Sequence, residues 1–394
     1  MASQPLAGIT VLDLSTILAG PLAATLLGEF GAEVIKVEQP GSGDPARRYP
    51  PLDGDTSAGW TLLGRGRRSV TLDLHRSGAA EIVGRLAREV DVVVTNFRPA
   101  TLRRFGVDFD DLRTYRHDLV MVHVSAFGRT GPYSDRPGFA RVAEGFAGLT
   151  HRTGSPDGPP TFTGYPVADG VTGIYAAFAT LLALRQRDRT GEAQLADIPL
   201  YEPLLRMMED FVVDYSVTGH SVERQGNRNP HISPNDMYRT RDERWIALPA
   251  STDRMWERLV EVMRAPDLAV HSTMAARVEH RDEIEGRVAA FVAEHDAVEL
   301  LARLDAAGIA AGPVNSAEQV CTDPHIRERG SIVEVRDAQG RDRLVQAPAG
   351  RFSGFEGRIG RPAPELGEHT TEVLRDLLGM TGNEIDDLRH RGVV

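Results

Sequence analysis

Short β-prone runs and helical patterns alternate along the first third of the chain, and that rhythm leaves few folds open. Ile9 to Leu14 is a β-prone run, followed by Gly20-Pro21 and a helical pattern through Leu22, Leu26, Leu27 and Phe30. Gly31 closes the helix, and Ala32 to Val37 is a second β-prone run. Strand, helix and strand in this order make a βαβ unit, with parallel strands and a right-handed crossover. Ser69 to Leu74, Asp91 to Asn96 and Leu119 to Ser125 read as further strands, and Gly78 to Arg88 as a helix. Runs such as Val92-Val93-Val94 do not alternate with polar residues. Strands covered on both faces read this way. The expected fold class is α/β, a Rossmann-like open parallel sheet with helices on both sides.

Asp169 to Arg185 and Tyr201 to Tyr215 read as long helices. Between Ser221 and Pro234 the sequence turns polar and is broken by Pro and Gly. A smaller α+β lobe follows, with a strand at Glu243 to Leu248 and helices at Met255 to Met263 and His280 to Ala306. Residues 331–348 read as a hairpin around Asp337-Ala338-Gln339-Gly340, and the last helix lies near Thr370 to Leu378. The chain has 394 residues, more than one domain usually holds. The expected division is a large domain over 1–220, a small domain over 221–330, and a segment over 331–394 that returns to the large one.

Several function classes are disfavoured. A formal charge of −11 argues against wrapping nucleic acid, which demands a basic face. The single cysteine, Cys321, leaves no intramolecular disulfide and fits a cytoplasmic location. Met1 to Pro5 lacks the features of a signal peptide. No stretch reaches the apolar length of a membrane span, and Val171 to Leu184 is interrupted by small and polar positions. No metal is expected: there is no CxxC or HExxH, the histidines are dispersed, and His231 near Asn229 and Asp236 reads as a solvated residue. The first strand leads into Ser15-Thr16-Ile17-Leu18-Ala19-Gly20-Pro21 rather than GxGxxG, so the turn lacks the glycines of a dinucleotide site. Walker and GxSxG sequences are also absent.

Asp169 opens a helix in the run Tyr165-Pro166-Val167-Ala168-Asp169-Gly170-Val171-Thr172-Gly173. An acid in a first turn complements the helix amides and dipole. The same position also suits a carboxylate nucleophile, with Gly170 and Gly173 permitting close approach by substrate or backbone. Three basic clusters lie in strand-edge loops, where α/β folds place anionic ligands. They are Arg47-Arg48, then Arg65, Arg67 and Arg68, then Arg98, Arg103 and Arg104 beside Asn96.

These residues together resemble the class III CoA-transferases, the family of formyl-CoA and carnitine CoA-transferases and the related 2-methylacyl-CoA racemases. The similarity runs in order through Val11-Leu12-Asp13-Leu14-Ser15, Ala19-Gly20-Pro21 and Gly31 to Glu38. Gly43-Asp44-Pro45-Ala46-Arg47, Arg68 to Leu74 and Asn96-Phe97-Arg98-Pro99 continue it. Ser125 to Pro132, Asp169 to Gly173, Arg224 to Asn227 and Leu366 to Thr370 complete it. The resemblance implies a Rossmann-like lobe, a smaller lobe and an interlocked homodimer. It implies that Asp169 attacks an acyl-CoA and that the enzyme then passes through an anhydride, an aspartyl-CoA thioester and a second anhydride. CoA and acyl-CoA are then substrates, a small carboxylic acid is the acceptor, and no cofactor is permanently bound. Asn96 and Arg104 match CoA-contact positions, with Arg47, Arg68 and Arg98 as further candidates.

The departures narrow the reading. Leu18 stands where formyl and oxalate enzymes have glutamine, and Phe139-Ala140 replaces their Tyr-Glu pair and the His-Asp pair of the racemases. A substrate pocket lined by Leu18, Phe139 and Ala140 suits an acyl group with some hydrocarbon better than oxalate, and lacks the racemase base. Glu144 stands where the family commonly has glutamine. Ser251-Thr252-Asp253 replaces a glycine-rich segment, so a mobile glycine lid is not expected. Alternatives are an acyl-CoA thioesterase, lyase or racemase of the same fold, or a catalytically silent CoA-binding protein.

Overall fold

The structure, a computed structural model, describes residues 4–394. It divides into two compact units. The larger comprises the chain up to Leu149 together with Thr163–Gly219 and Pro324–Val394, and the smaller comprises Thr150–Phe162 and His220–Asp323.

The larger unit is built on six parallel strands: β1 (Thr10–Asp13), β2 (Glu33–Glu38), β3 (Arg67–Thr71), β4 (Val92–Thr95), β5 (Val120–Ser125) and β6 (Gln194–Pro199). Their spatial order is 3-2-1-4-5-6, that of a doubly wound nucleotide-binding sheet. Successive side chains point to opposite faces. Val11, Val34, Val92, Val94 and Val122 therefore enter one apolar core, with Ala23 and Leu27 of α1 (Ala19–Glu29). Leu12, Ile35, Val37, Val70, Val93 and Met121 enter the other, with Ile82, Val83 and Leu86 of α2 (Ala79–Glu89). With both faces covered, the strands carry uninterrupted apolar runs.

The next helices are α3 (Pro99–Phe105), α4 (Ala140–Phe146), α5 (Val167–Thr190), α6 (Tyr201–Met207) and α7 (Glu209–Thr218). The chain read as one helix from Tyr201 to Tyr215 is broken at Met208, whose ψ of 73° is not helical. Strand β6 escapes the sequence reading because it is a half-exposed edge carrying Gln194 and Asp197. By length and composition α5 would pass for a membrane-spanning helix, yet half of its most apolar stretch is buried within the protein. Gly173 of α5 faces α1. A methyl there would lie 2.9 Å from both the Ala19 carbonyl and a Leu22 methyl. The close approach foreseen for this glycine is thus helix packing. Gly170 packs under the Tyr165 ring in the same sense.

The smaller unit contains an antiparallel sheet of β7 (Asn235–Arg239), β8 (Trp245–Pro249) and β9 (Gly312–Pro313), with β8 central. Its core joins Ile246 and Leu248 to Trp256 and Leu259 of α8 (Asp253–Met263), Ile284 and Val288 of α9 (Arg281–Ala293), and Leu300 and Leu304 of α10 (Ala297–Ala306). The helical run from His280 to Ala306 is interrupted at residues 294–296. Thr252 caps α8 by accepting from Met255 N–H at 3.2 Å, so the Ser251–Asp253 segment serves as a helix start.

The end of the chain belongs to the larger unit. A hairpin pairs β10 (Ile332–Arg336) with β11 (Asp342–Gln346), and α11 (Thr370–Leu378) and α12 (Gly382–His390) follow. Val373, Leu374, Ile385 and Leu388 of these helices close the second core. The α12 helix lies beyond the last one expected from sequence.

Overpacking a close helix contact generally costs about 1–3 kcal/mol. Gly173→Ala is expected to lower unfolding free energy by roughly that amount. Denaturant unfolding of the variant against the parent checks it.

Candidate active site

The site is assembled on the turn between β1 and α1. No glycine occupies residues 15–18, and Ile17 takes a φ of 71°. That is costly for a β-branched residue and persists only where surrounding contacts impose it. Three side chains impose it. Asp13 accepts from Ser15 N–H at 2.9 Å. Asn96 accepts from Thr16 N–H at 2.8 Å and donates to the Thr16 carbonyl at 2.7 Å. Asp44 accepts from Ile17 N–H at 3.0 Å.

These carboxylates are themselves held by buried cations. Lys36 of β2 is fully buried, 3.0 Å from Asp44 and 3.6 Å from Asp13, and it donates to the Ser15 carbonyl. Arg67 of β3 is also buried and donates to Asp13, to Thr25 Oγ1 and to the Pro21 carbonyl. Burial alone would raise the Asp44 pKa. The Lys36 charge and the Ala46 and Ile17 amides outweigh it, and the carboxyl is held below its ordinary range.

Asp169 lies in the first turn of α5 and faces this turn. It shares a cleft of about 110 Å³ with Thr16, Leu18, Asn96, Ser125 and Phe139. Burial raises its pKa first, and the charge of Glu144 on α4 adds to the effect, so that it reaches about 6. A carboxylate so placed is poorly solvated and takes up a proton more readily than an exposed one.

Thr16 also lines a second, larger cleft of about 410 Å³. This one lies beyond the carboxyl ends of β1 to β4, where open α/β sheets bind ligands. Leu72, Leu74, Phe97 and Phe105 give it an apolar wall, and Arg104 gives it a cation. Arg104 is exposed, sits 5.1 Å over the Phe105 ring and forms no ion pair among the described residues. The two clefts meet at the turn that Asn96 pins.

Most of the other arginines singled out by charge are paired with carboxylates. Both Glu38 oxygens accept from Arg47, at 2.6 and 2.7 Å. Arg68 pairs with Glu33 and with Glu372. Arg65 pairs with Glu29 and Arg103 with Asp135. Arg98 is exposed at the start of α3 and lines neither cleft. Within the proposed acyl pocket, Leu18 and Phe139 line the Asp169 cleft, with Phe139 70% exposed at its rim rather than in the core. Ala140 instead packs in the apolar core behind it. Ser125 and Thr16 appear in the sequence only within longer motifs, with no role of their own; Ser125 ends β5 and Thr16 follows β1.

Among the described residues, dispersed spacing also hid one group of potential metal donors. His271, His280 and Glu283 of the smaller unit hold ligand atoms within 4.8 Å of one another, with His280 and Glu283 exposed. His231 is not among them, and its backbone N–H bonds the Asn229 side chain at 2.8 Å.

Comparison with known proteins gives the family and the fold. Residues 6–370 match CoA-transferase family III. A succinyl-CoA–D-citramalate CoA-transferase of Chloroflexus aurantiacus is 38% identical, over 99% of this chain and 98% of its own. A succinate–glutarate CoA-transferase of Agrobacterium fabrum is 34% identical, over 95% of this chain and 96% of its own. The crystal structure of a CaiB/BaiF family protein from Brucella suis superposes with a TM-score of 0.83 at 32% identity, covering 95% of this chain and all of that one.

The raised pKa of Asp169 has a stability consequence. A carboxyl whose folded pKa exceeds its unfolded value favours the fold while protonated, and that contribution is lost as pH rises through the folded pKa. Asp169→Asn removes the ionisation. Relative to the parent, the variant is expected to gain up to about 3 kcal/mol as pH rises from below 3.8 to above 6. Unfolding titrations of both proteins at the two extremes check the sign.

Proposed function

Because this chain belongs to CoA-transferase family III, we propose that it moves CoA from an acyl-CoA donor to a carboxylic acid through covalent intermediates on Asp169. The observation that carries the reading is the cleft holding Asp169, joined through Thr16 to the larger cleft at the strand ends. The larger cleft takes the nucleotide end of CoA, with Arg104 toward its phosphates. Asn96 contributes by holding the turn between the two clefts. Arg47, Arg68 and Arg98 are left out of the CoA contacts, the first two because carboxylates already neutralise them.

The chemistry follows from the partly buried carboxylate. Asp169 attacks the thioester carbonyl, the C–S bond breaks, and CoA leaves as thiolate with an acyl–aspartyl anhydride behind it. The thiolate attacks the aspartyl carbonyl, releasing the donor acid and leaving an aspartyl-CoA thioester. The acceptor carboxylate attacks that thioester, giving a second anhydride and the thiolate once more. Attack of thiolate on the acceptor acyl carbonyl yields the new acyl-CoA and restores Asp169. The anhydrides lie above the thioesters in energy, but overall one thioester and one free acid replace another such pair, so the exchange needs no external energy source. Water must be kept out, since it would turn each intermediate to hydrolysis.

Relatives that act on succinyl-CoA, citramalate and glutarate point to dicarboxylic acids of four or five carbons as donor or acceptor. A cleft of about 110 Å³ walled by Leu18, Leu200 and Phe139 suits a short aliphatic chain. Incubating the protein with succinyl-CoA and a panel of free acids, while following new acyl-CoA by mass, is expected to show transfer. Asp169→Ala is expected to reduce it on the order of 10³-fold or more and to abolish hydroxylamine-trapped aspartyl product. Release of free CoA without an acceptor would instead identify a thioesterase.

The same reading includes a homodimer. Ile174, Phe178 and Leu182 recur every four residues along α5 and are each at least half exposed, and Val212 and Val213 of α7 are also exposed. Such a stripe on a helix calls for a partner surface. Replacing both Phe178 and Leu182 by Glu is expected to reduce the mass measured by light scattering from that of a dimer to that of a monomer.

A further inference from the structure

Helix α5 starts without a side-chain cap, since Pro166 at the capping position has none to give. The first amides of a helix need acceptors from elsewhere. Glu144 of α4, with 1% exposure, supplies one, its Oε1 accepting from Ala168 N–H at 3.3 Å. Its Oε2 accepts from Arg141 at 2.7 Å, and the same Arg141 nitrogen donates to the Tyr165 carbonyl at 3.3 Å. Two side chains one turn apart on α4 therefore grip the chain on either side of Pro166, immediately before Asp169.

We propose that Glu144 and Arg141 act as a clamp of opposite charges, a pair of positioning residues that fixes the start of α5 and sets the field in which the Asp169 carboxylate works. Only its effect on rate rests on Asp169 being the nucleophile. A glutamine at 144 would accept the same amide hydrogen bond, so the amide alone does not require a carboxylate. What Glu144 adds is a negative charge against a carboxylate that burial already disfavours. A more basic oxygen is a stronger nucleophile. Arg141, partly exposed, balances Glu144 and limits how far the effect goes.

Other charged and titratable groups on the packed elements are few. Tyr165 precedes the helix, and its own pKa is raised by burial and by Asp169. The α1 helix carries no charge before Glu29 at its far end. Strands β5 and β6 bring His123 and Asp197, and α6 brings Tyr201, Glu202 and Arg206. Burial and Glu144 are the influences on Asp169 that emerge from this set.

The test is a titration of the full-length protein carrying carbon-13 at the aspartate carboxyls, with the Asp169 signal assigned by its loss in Asp169→Asn. Glu144→Gln is expected to lower the Asp169 midpoint by about one pH unit. Arg141→Gln is expected to raise it, because Glu144 then acts unbalanced. A merely structural loosening of the helix start would move both variants the same way, toward an ordinary carboxylate. Midpoints that shift together, or that stay within about 0.3 units of the parent, overturn the clamp. The acid limb of kcat/KM for CoA transfer, measured on the same variants, is expected to follow the midpoints. Opposite midpoint shifts with an unmoved acid limb would keep the clamp and reject Asp169 as nucleophile. Arg141 is partly exposed, so its variant keeps the test decisive if Glu144→Gln fails to fold.

Discussion

Everything around the site depends on one buried ammonium group. Lys36 lies inside β2 with no exposure and is neutralised by Asp13 at the end of β1 and Asp44 in the following loop. With Arg67, the first residue of β3, this makes two cations and two carboxylates sealed among three neighbouring strands and the loop after β2. Such a group is tolerable only when paired and hydrogen-bonded, and removing one member typically costs roughly 3–5 kcal/mol. Its use here is geometric. Asp13 and Asp44 also accept from the amides of Ser15 and Ile17. The charge cluster thereby sets the path of the turn that walls the Asp169 cleft.

That path is strained at Ile17, and the strain is confined to a single residue by contacts from β1, from the loop after β2 and from Asn96 after β4. A nucleotide-binding sheet ordinarily uses glycines in this turn to bring its backbone to a phosphate. This chain instead fixes the turn with side chains and turns it toward a second helix start. The starts of α1 and α5 meet over the cleft, and α5 contributes its carboxylate there. Close packing at Gly173 brings the two helices together. A rigid turn and a half-desolvated carboxylate are the elements a covalent acyl exchange requires, whereas wetter surroundings would favour water as the acceptor.

Much of this was legible in the sequence. The βαβ rhythm gives the parallel sheet, because strands covered on both faces must be apolar throughout. The context of Asp169 gives the helix start. The edge strand β6 stayed hidden because a half-exposed edge carries polar residues and loses its apolar signature. The arginine clusters show a related limit of sequence. Arg47, Arg65, Arg67 and Arg68 read as ligand-binding groups, but carboxylates distant in sequence or placed across the sheet neutralise them. Charge shows in a sequence, whereas the partner that cancels it appears only on folding. Asn96 stood out by its position after a strand, and the fold adds that its amide holds the Thr16 backbone. Glu144 was visible only as an unexplained acid, and its contact with the start of α5 gives it meaning.

The central claim is that Asp169 exchanges its own oxygen with the acids it serves. A single turnover with an acceptor whose carboxylate carries oxygen-18 at both positions tests it most directly. Collapse of the second anhydride breaks the bond between the acceptor acyl carbon and the bridging oxygen, so that oxygen stays on Asp169. One oxygen-18 is expected in the peptide containing Asp169, with the other in the new acyl-CoA. Transfer that leaves this peptide unlabelled would contradict covalent participation by Asp169 and point to direct exchange between bound substrates.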